Sequence, residues 1–488
     1  MEKYKRKSLK LNMVLNGIKG LMGIIFPLIS FPYISRILGV ESIGKYSFAN
    51  SLISYFTLIS GLGIATYAIR EGARIREDKI LIKHFSNEMF SINIISTFIS
   101  YFILVTFLFT QGKFHDYKDI LIILSLQIIF KTIGVEWIYS IYEDYTYITV
   151  RSILFQVISL LLMFLFVHNE DDVNIYAAIT VVSSVGSNIL NYFHSKKYCK
   201  IQWSKQIDWN KHLKPIMILF AMSITVTIYV SMDITILGYL CGDYTVGIYS
   251  VSTKVYTIIK TVLSSVIIVS IPRLSSLLGK GNNKGFCDAA TEIYKILISI
   301  MLPVITGIIV LSKQIILIIS GSEYINAKSS LVLLSIALFF CLGAWFWGQC
   351  ILVPLKQEKI VFTATIISAL LNIGLNFLLI PIWRENAAAF STVIAEAVAF
   401  VWCMRVGKSS VELKSVRKII CKVIVGCLAI ILCGYILKPL NDQTEKYTIM
   451  TIFISSILYL LIELLLKNEV VINITSEAKK LMNNNRLK

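Results

Sequence analysis

The chain is 488 residues long, 56% hydrophobic and only 16% charged, with a mean hydropathy of +0.73 and a formal charge of +18. A soluble protein of this size carries about a quarter charged residues, so a large water-soluble domain is excluded and most of the mass belongs in lipid. The basic excess is no nucleic-acid face: most of the 47 Lys and Arg fall in loops on the side of the N-terminus, which is the positive-inside pattern.

Apolar runs able to cross a bilayer recur from end to end. They read at 11–35, 46–68, 88–109, 119–142, 149–167, 174–193, 215–240, 246–271, 289–312, 329–353, 360–381, 387–404, 419–437 and 447–466, about fourteen in all. The first follows MEKYKRKSLK, is too long for a signal-peptide core and has no small-x-small cleavage site after it, so it reads as a retained span. Pro27 and Pro32 predict a kink in that span, and Pro215 suits the first turn of the seventh. The longest polar loop, near 194–214, is too short to fold alone. The expected fold is an all-α integral membrane protein: a lobe of six spans in 1–200, a second of six in 201–410, two further spans in 411–466, and a polar tail at 467–488. Both termini are expected in the cytoplasm.

An internal repeat underlies the two lobes. Residues 37–47 read ILGVESIGKYS and residues 236–250 read ILGYLCGDYTVGIYS. With Gly44 aligned on Gly247, Ser47 matches Ser250 and Ser54 matches Thr257. An even number of spans separates the copies, so the halves share one orientation, a parallel repeat about an axis along the membrane normal.

The eighth span carries the clearest functional signal. At about 100° per residue, Ser250, Thr253, Lys254, Thr257, Lys260, Thr261, Ser264 and Ser265 fall on one face, and Ile248, Val251, Val255, Ile259, Val262 and Val266 on the other. A packed helix interface accounts for the hydroxyls. It does not account for two lysines, each costing roughly 2.5–3.5 kcal/mol near a span centre. The stripe is therefore expected to face water inside a transport protein. Asn50, Ser54, Thr57 and Gly61 continue a similar stripe on the second span.

Other ionisable groups deep in spans are Lys19, Lys131, Glu136, Asp233, Lys295, Glu396, Lys422 and Glu463. Such groups are functional candidates by default. Lys295, Lys422 and Glu463 read as structural. Lysines outnumber carboxylates, which points to an anionic substrate such as phosphate or diphosphate. The candidate contacts are Lys19, Asn50, Lys131, Lys254, Thr257, Lys260 and Thr261. Asp233, Glu136 and Glu396 are candidates for coupling to an ion gradient. Glu136 lies about 140° around its helix from Lys131, so the two make no local pair.

The nine cysteines lie after residue 198, without a C-x-x-C, which is packing usage rather than a disulfide or zinc framework. The five histidines fall in loops or at span ends. Trp345, Phe346 and Trp347 read as an interfacial aromatic belt, with sugar stacking as the alternative. No P-loop, dinucleotide fingerprint, His-Glu-x-x-His or nucleophile elbow occurs. No catalytic residue, cofactor or metal is expected.

FPYISRILGVESIGKYSFANSLISYFTLISGLGIATYAIREGA at 31–73 resembles the N-terminal region of bacterial polysaccharide flippases of the Wzx type. DITILGYLCGDYTVGIYSVSTKVYTI at 233–258, with IPRLSSL at 271–277, resembles their central motif. That resemblance places the chain in the MOP exporter superfamily and implies two six-helix lobes around a central cavity, with the last two spans as additions forming a groove for a lipid tail. It implies an undecaprenyl-diphosphate-linked oligosaccharide as substrate, moved from the inner to the outer leaflet of the bacterial plasma membrane by alternating access, and a contact with polysaccharide polymerase machinery. Lys254 and Lys260 then fit the cationic residues that meet the diphosphate. The runner-up is a drug–cation antiporter of the same superfamily, which favours acidic cavity residues. A membrane polymerase or glycosyltransferase needs a sizeable outer loop or a catalytic carboxylate cluster, and the outer loops here are short.

The charge asymmetry makes a direct prediction. A phosphatase reporter fused after Lys488 is expected to be inactive and a fluorescent-protein fusion bright; an active phosphatase fusion would place the C-terminus outside.

Overall fold

The computed structural model describes residues 9–110, 112–438, 443–473 and 476, with the side chains of 9–16, 19, 113, 226 and 229 outside that description. Most of the expected polar tail also lies outside it. Among the described residues every regular element is helical. That follows from the solvent: lipid offers no partner for backbone N–H and C=O groups, so each span must close its own hydrogen bonds.

The first half of the chain contains α1 (Leu9–Gly61), α2 (Ile64–Ile75), α3 (Lys79–Thr110), α4 (Lys118–Ile133), α5 (Glu136–Ile141), α6 (Tyr145–Phe166), α7 (Val173–Val181), α8 (Asn188–Ser195) and α9 (Trp209–Cys241). The second contains α10 (Asp243–Gly279), α11 (Asn283–Val310), α12 (Ser312–Ser320), α13 (Ala327–Trp345), α14 (Glu358–Ser410), α15 (Val416–Ile436) and α16 (Thr444–Leu465). Wider π-type turns join α7 to α8 (Val182–Gly186) and extend α13 (Phe346–Leu352).

Among the described residues, eleven helical stretches are long and apolar enough to cross a membrane, or twelve if the halves of α9, Trp209–Thr225 and Val230–Cys241, bent by 56°, form one span. Two of these are double. Helices α1 and α14 each run 53 residues, which at 1.5 Å per residue is about 80 Å and more than twice the hydrocarbon thickness. Each breaks near its middle, α1 at Gly39 (φ 69°) and α14 at Arg384 (φ 49°). Splitting them brings the crossings to about fourteen. The break in α1 is at Gly39 within the first repeat copy; Pro27 and Pro32 lie inside the helix without interrupting it. Helix α9 also starts earlier than expected, because Asp208 caps it by accepting from the Lys211 N–H at 3.1 Å, leaving Pro215 in the interior.

The chain divides into two compact units, Met1–Gly247 and Ile248–Lys488. In the first, α1 is the central element and packs along α3, α4, α6 and α9. Its seam with α9 is a ladder of hydroxyls: Ser51 with Thr235 at 3.1 Å, Ser54 with Ser231 at 3.1 Å, and Tyr55 with Thr235 at 2.9 Å. In the second, α13 packs along α14, and α11 holds both α13 and α15, which carries α16. Many large apolar side chains face outward, with Phe98, Phe102, Phe109, Val269 and Leu465 all largely exposed. In water such a surface aggregates; here it is the lipid face.

The repeat glycines meet. A Cβ on Gly44 would overlap the Asp243 carbonyl and lie 2.9 Å from the Gly247 nitrogen, and a Cβ on Gly247 would overlap the Val40 carbonyl. Val40 and Asp243 each stand four residues before their own glycine, so the contact is reciprocal. Only glycine lets two helix backbones come this close. The aromatic cluster departs from expectation. Phe346 and Trp347 are almost fully buried and form no interfacial belt. Both rings pack on Tyr294 of α11, with centroids 4.7 and 6.1 Å away, because a helix contact buries ring area on both faces. The nine cysteines are free thiols, most of them buried.

The close crossing sets a stability test. Gly247→Ala is expected to cost about 1–3 kcal/mol by overpacking and to lower the thermal midpoint in detergent. Gly307→Ala, where nothing lies within 4 Å, is expected to leave it unchanged or raise it. Equal midpoints for wild type and Gly247→Ala would remove the crossing from the stability of the fold.

Candidate functional site

The stripe on α10 is built locally. Each stripe hydroxyl for which a bond is resolved turns back to its own helix: Thr253 donates to the Ser250 carbonyl at 3.0 Å, Thr261 to Thr257 at 2.8 Å, Ser264 to Thr261 at 2.9 Å and Ser265 to Val262 at 2.7 Å. These groups are satisfied without an outside partner, so the hydroxyls alone carry no information about water. The opposite face is buried at Ile248, Val251 and Val255. Beyond that turn the pattern changes, and Val262 is 51% exposed. Thr257 and Thr261 are exposed; Lys254 and Lys260 are half-buried. Ser252 clasps α10 to α13, bonding the Ala327 carbonyl and the Ser330 hydroxyl, each at 2.8 Å.

Lys260 is the best-defined cation of the stripe. Its ammonium lies 5.5 Å from the Tyr256 ring centroid, meets the Cys341 thiol of α13 and sits in the field of the Glu396 carboxylate of α14. Cys341 and Glu396 are both buried. Three helices of the second unit thus converge on one ammonium. A cation there rests beside an aromatic face and within the field of a carboxylate, which offsets part of its desolvation cost.

The other candidates belong to the first unit, where Lys131 lies in the field of Glu136. The side chain of Lys19 lies outside the described residues. Asn50 is half-buried on α1. Lys131 is exposed in the last turn of α4. Glu136 follows a break in that span: Val135, a β-branched residue, has φ 38° and ψ 40°, a strained conformation that persists only where the surroundings hold it. Glu136 accepts from Arg151 of α6 at 2.8 Å. Arg151 is 6% exposed and Glu136 51%, so the carboxylate covers a buried guanidinium. Asp233 is buried on α9, in the field that reaches Tyr55 of α1.

The structure therefore pairs Glu136 with Arg151 and sets Lys260 in the field of Glu396. It places Lys19, Asn50, Lys131, Glu136 and Asp233 in the first unit and Lys254, Thr257, Lys260, Thr261 and Glu396 in the second. Arg151 lies within the fifth apolar run, where an uncompensated guanidinium is a signal in itself. His212 stands at the start of α9, yet is fully buried, with Nδ1 2.9 Å from the Tyr67 hydroxyl and Nε2 3.2 Å from Glu88. Cys341 carries no sequence signal, because a lone cysteine in an apolar run reads as packing.

The family model described as polysaccharide biosynthesis protein matches residues 10–278, more than half of the chain, and the MatE model matches residues 218–378. The chain is 21% identical over 395 residues to the putative O-antigen transporter of Escherichia coli (strain K12), covering 80% of this chain and 94% of that one. It is 24% identical over 368 residues to the capsular polysaccharide biosynthesis protein CapF of Staphylococcus aureus, covering 74% and 89%. The solved structure of the lipid II flippase MurJ in an inward closed conformation superposes with a TM-score of 0.74 over 94% of this chain and 99% of that one, at 16% identity. That likeness is one of fold.

The Glu136–Arg151 pair yields a prediction. Glu136→Gln leaves the buried guanidinium without its anion and is expected to cost about 1–3 kcal/mol, read as a lower thermal midpoint. Lys131→Ala is expected to leave that midpoint unchanged. Combining Glu136→Gln with Arg151→Met should recover most of the loss, and no recovery would mean the pair is not the cause.

Proposed function

We propose that this chain, which belongs to the polysaccharide biosynthesis protein family, is a flippase that moves lipid-linked oligosaccharides across the bacterial plasma membrane. The carrier is an undecaprenyl diphosphate, and the direction is from the inner to the outer leaflet, with both termini in the cytoplasm. The lobes at 1–200 and 201–410 alternate in access, and 411–466 is appended to them. The protein is a transporter rather than an enzyme and hands its product to the polymerization machinery.

The observation that carries this reading is the pair of half-buried lysines on one face of α10. A lysine tolerates such a place when an anion offsets its desolvation. A diphosphate does so during transport. Lys254 and Lys260 attract it as point charges, while Thr257 and Thr261 line the same route. Lys19, Asn50 and Lys131 serve the corresponding route in the first unit. Glu396 shares Lys260 when no substrate is bound. Once a phosphate takes the ammonium, Glu396 loses its counter-charge and binds a proton or a sodium ion, which couples substrate to ion. Asp233 is the second coupling candidate; Glu136 is less available because Arg151 holds it. The MatE match favours a drug–cation antiporter as the second reading, but a cationic substrate is repelled by this stripe.

Loss of surface polysaccharide tests the reading. Lys260→Ala is expected to abolish it at normal membrane levels of protein, and Lys260→Arg to retain part, since the charge survives with altered geometry. Glu396→Ala combined with Lys260→Ala should keep the protein folded and inactive. Normal polysaccharide in the Lys254→Ala, Lys260→Ala double variant would remove both lysines from transport.

A further inference from the structure

The loop between α8 and α9 is pinned to α3 in an unusual way. Trp203 stands in it, about half exposed. On either side of Trp203 a backbone N–H donates to a side chain of α3: Gln202 to Asn87 Oδ1 at 2.8 Å and Ser204 to Ser91 Oγ at 2.8 Å. Asp208 N–H adds a third bond to Glu88 Oε1 at 3.0 Å. Ile201, beside them, is buried. A loop free to leave the surface has no need of three such anchors. Their effect is to hold the Trp203 ring against α3.

There the ring closes the end of an apolar groove. Ile94, Ile95, Phe98, Ile99 and Phe102 of α3 line it together with Trp203, around a cavity of about 410 Å³. From Ile94 to Phe102 the groove runs about 12 Å along the helix axis, and no polar atom lines it. The loop itself is strongly basic. Lys200 and Lys205 flank Trp203 by three and two residues, and Lys196, Lys197, Lys211 and Lys214 follow the same segment, all exposed. Asp208 is the sole carboxylate between residues 194 and 214. An apolar slot, a tryptophan at its mouth and a cluster of ammonium groups beyond it match one molecule part by part: an acyl chain, the glycerol level and an anionic headgroup.

We infer that the α3 groove and the 196–214 loop form a docking site for an anionic phospholipid, with an acyl chain along Ile94–Phe102 and the phosphate among Lys200, Lys205 and their neighbours. All its parts belong to the first unit and to none of the residues assigned to transport, so the site stands apart from the proposed flipping route. Its occupant tightens the hold of the loop on α3 by adding contacts to both.

Purified protein in nanodiscs tests this. In a variant with Trp203 as the sole tryptophan, brominated phosphatidylglycerol is expected to quench its fluorescence several-fold more than brominated phosphatidylcholine at equal mole fraction. Lys200→Gln and Lys205→Gln should each weaken that preference, by up to about fivefold. Native mass spectrometry of the otherwise unaltered chain gives an independent readout: retained phosphatidylglycerol should fall in Lys200→Gln, Lys205→Gln and in Ile95→Trp, which fills the groove. Equal quenching by the two lipids, or retention unchanged in these variants, overturns the proposal. So does displacement of phosphatidylglycerol by undecaprenyl phosphate at equimolar amounts, which would make the groove part of the substrate route.

Discussion

The constraint on which the rest of the structure depends is that lipid supplies no hydrogen-bond partner. Each span must close its own backbone bonds, and many of its small polar side chains bond back to the same helix. Along α10, Thr253, Thr261, Ser264 and Ser265 all return to carbonyls of their own helix. Hydroxyls treated in this way cost little in lipid and demand nothing of a neighbour. The charged groups differ, since an ammonium or guanidinium cannot be neutralised by its own backbone. The need for a partner from another part of the chain therefore falls most heavily on a handful of ions.

The ions are placed where the helices allow. Arg151 lies beside the break between α4 and α5, where Val135 takes a strained conformation and Glu136 begins a new helix. Lys260 projects toward Tyr256, Cys341 and Glu396. Arg151 joins two successive helices, whereas Lys260 faces elements far apart in the chain. The two breaks in the double-length helices obey a related logic. Gly39 reaches a positive φ without penalty, whereas Arg384 does so at some cost. Both permit a 53-residue helix to turn back into lipid instead of continuing beyond it.

Contacts between elements rely on small residues and fixed anchors. Gly44 and Gly247 occupy equivalent places in the internal repeat, and each lies against the carbonyl four residues before the other. This reciprocity gives the repeat a structural purpose, because a side chain at either place would separate the backbones. On the other surface, the basic loop before α9 is tied to α3 through Asn87, Glu88 and Ser91. That loop reads in sequence as a polar stretch too short to fold alone; its bonds tie it to the packed unit.

The sequence by itself determined the helical class, the approximate number and limits of the spans, the repeat and the face of α10 that carries the lysines. These are sums over about twenty consecutive residues, and lipid transfer and helix period act locally, so they are legible without a fold. Only the tertiary structure decided which charges meet. Glu136 pairs with Arg151, fifteen residues on, and not with Lys131; Lys260 comes into the field of Glu396, a partner more than a hundred residues away. Trp347 is buried against Tyr294, although the same residue in isolation suits an interface. The reason is common to all three: a side chain's partner depends on which helices pack together and at what rotation, and that is fixed by the chain as a whole.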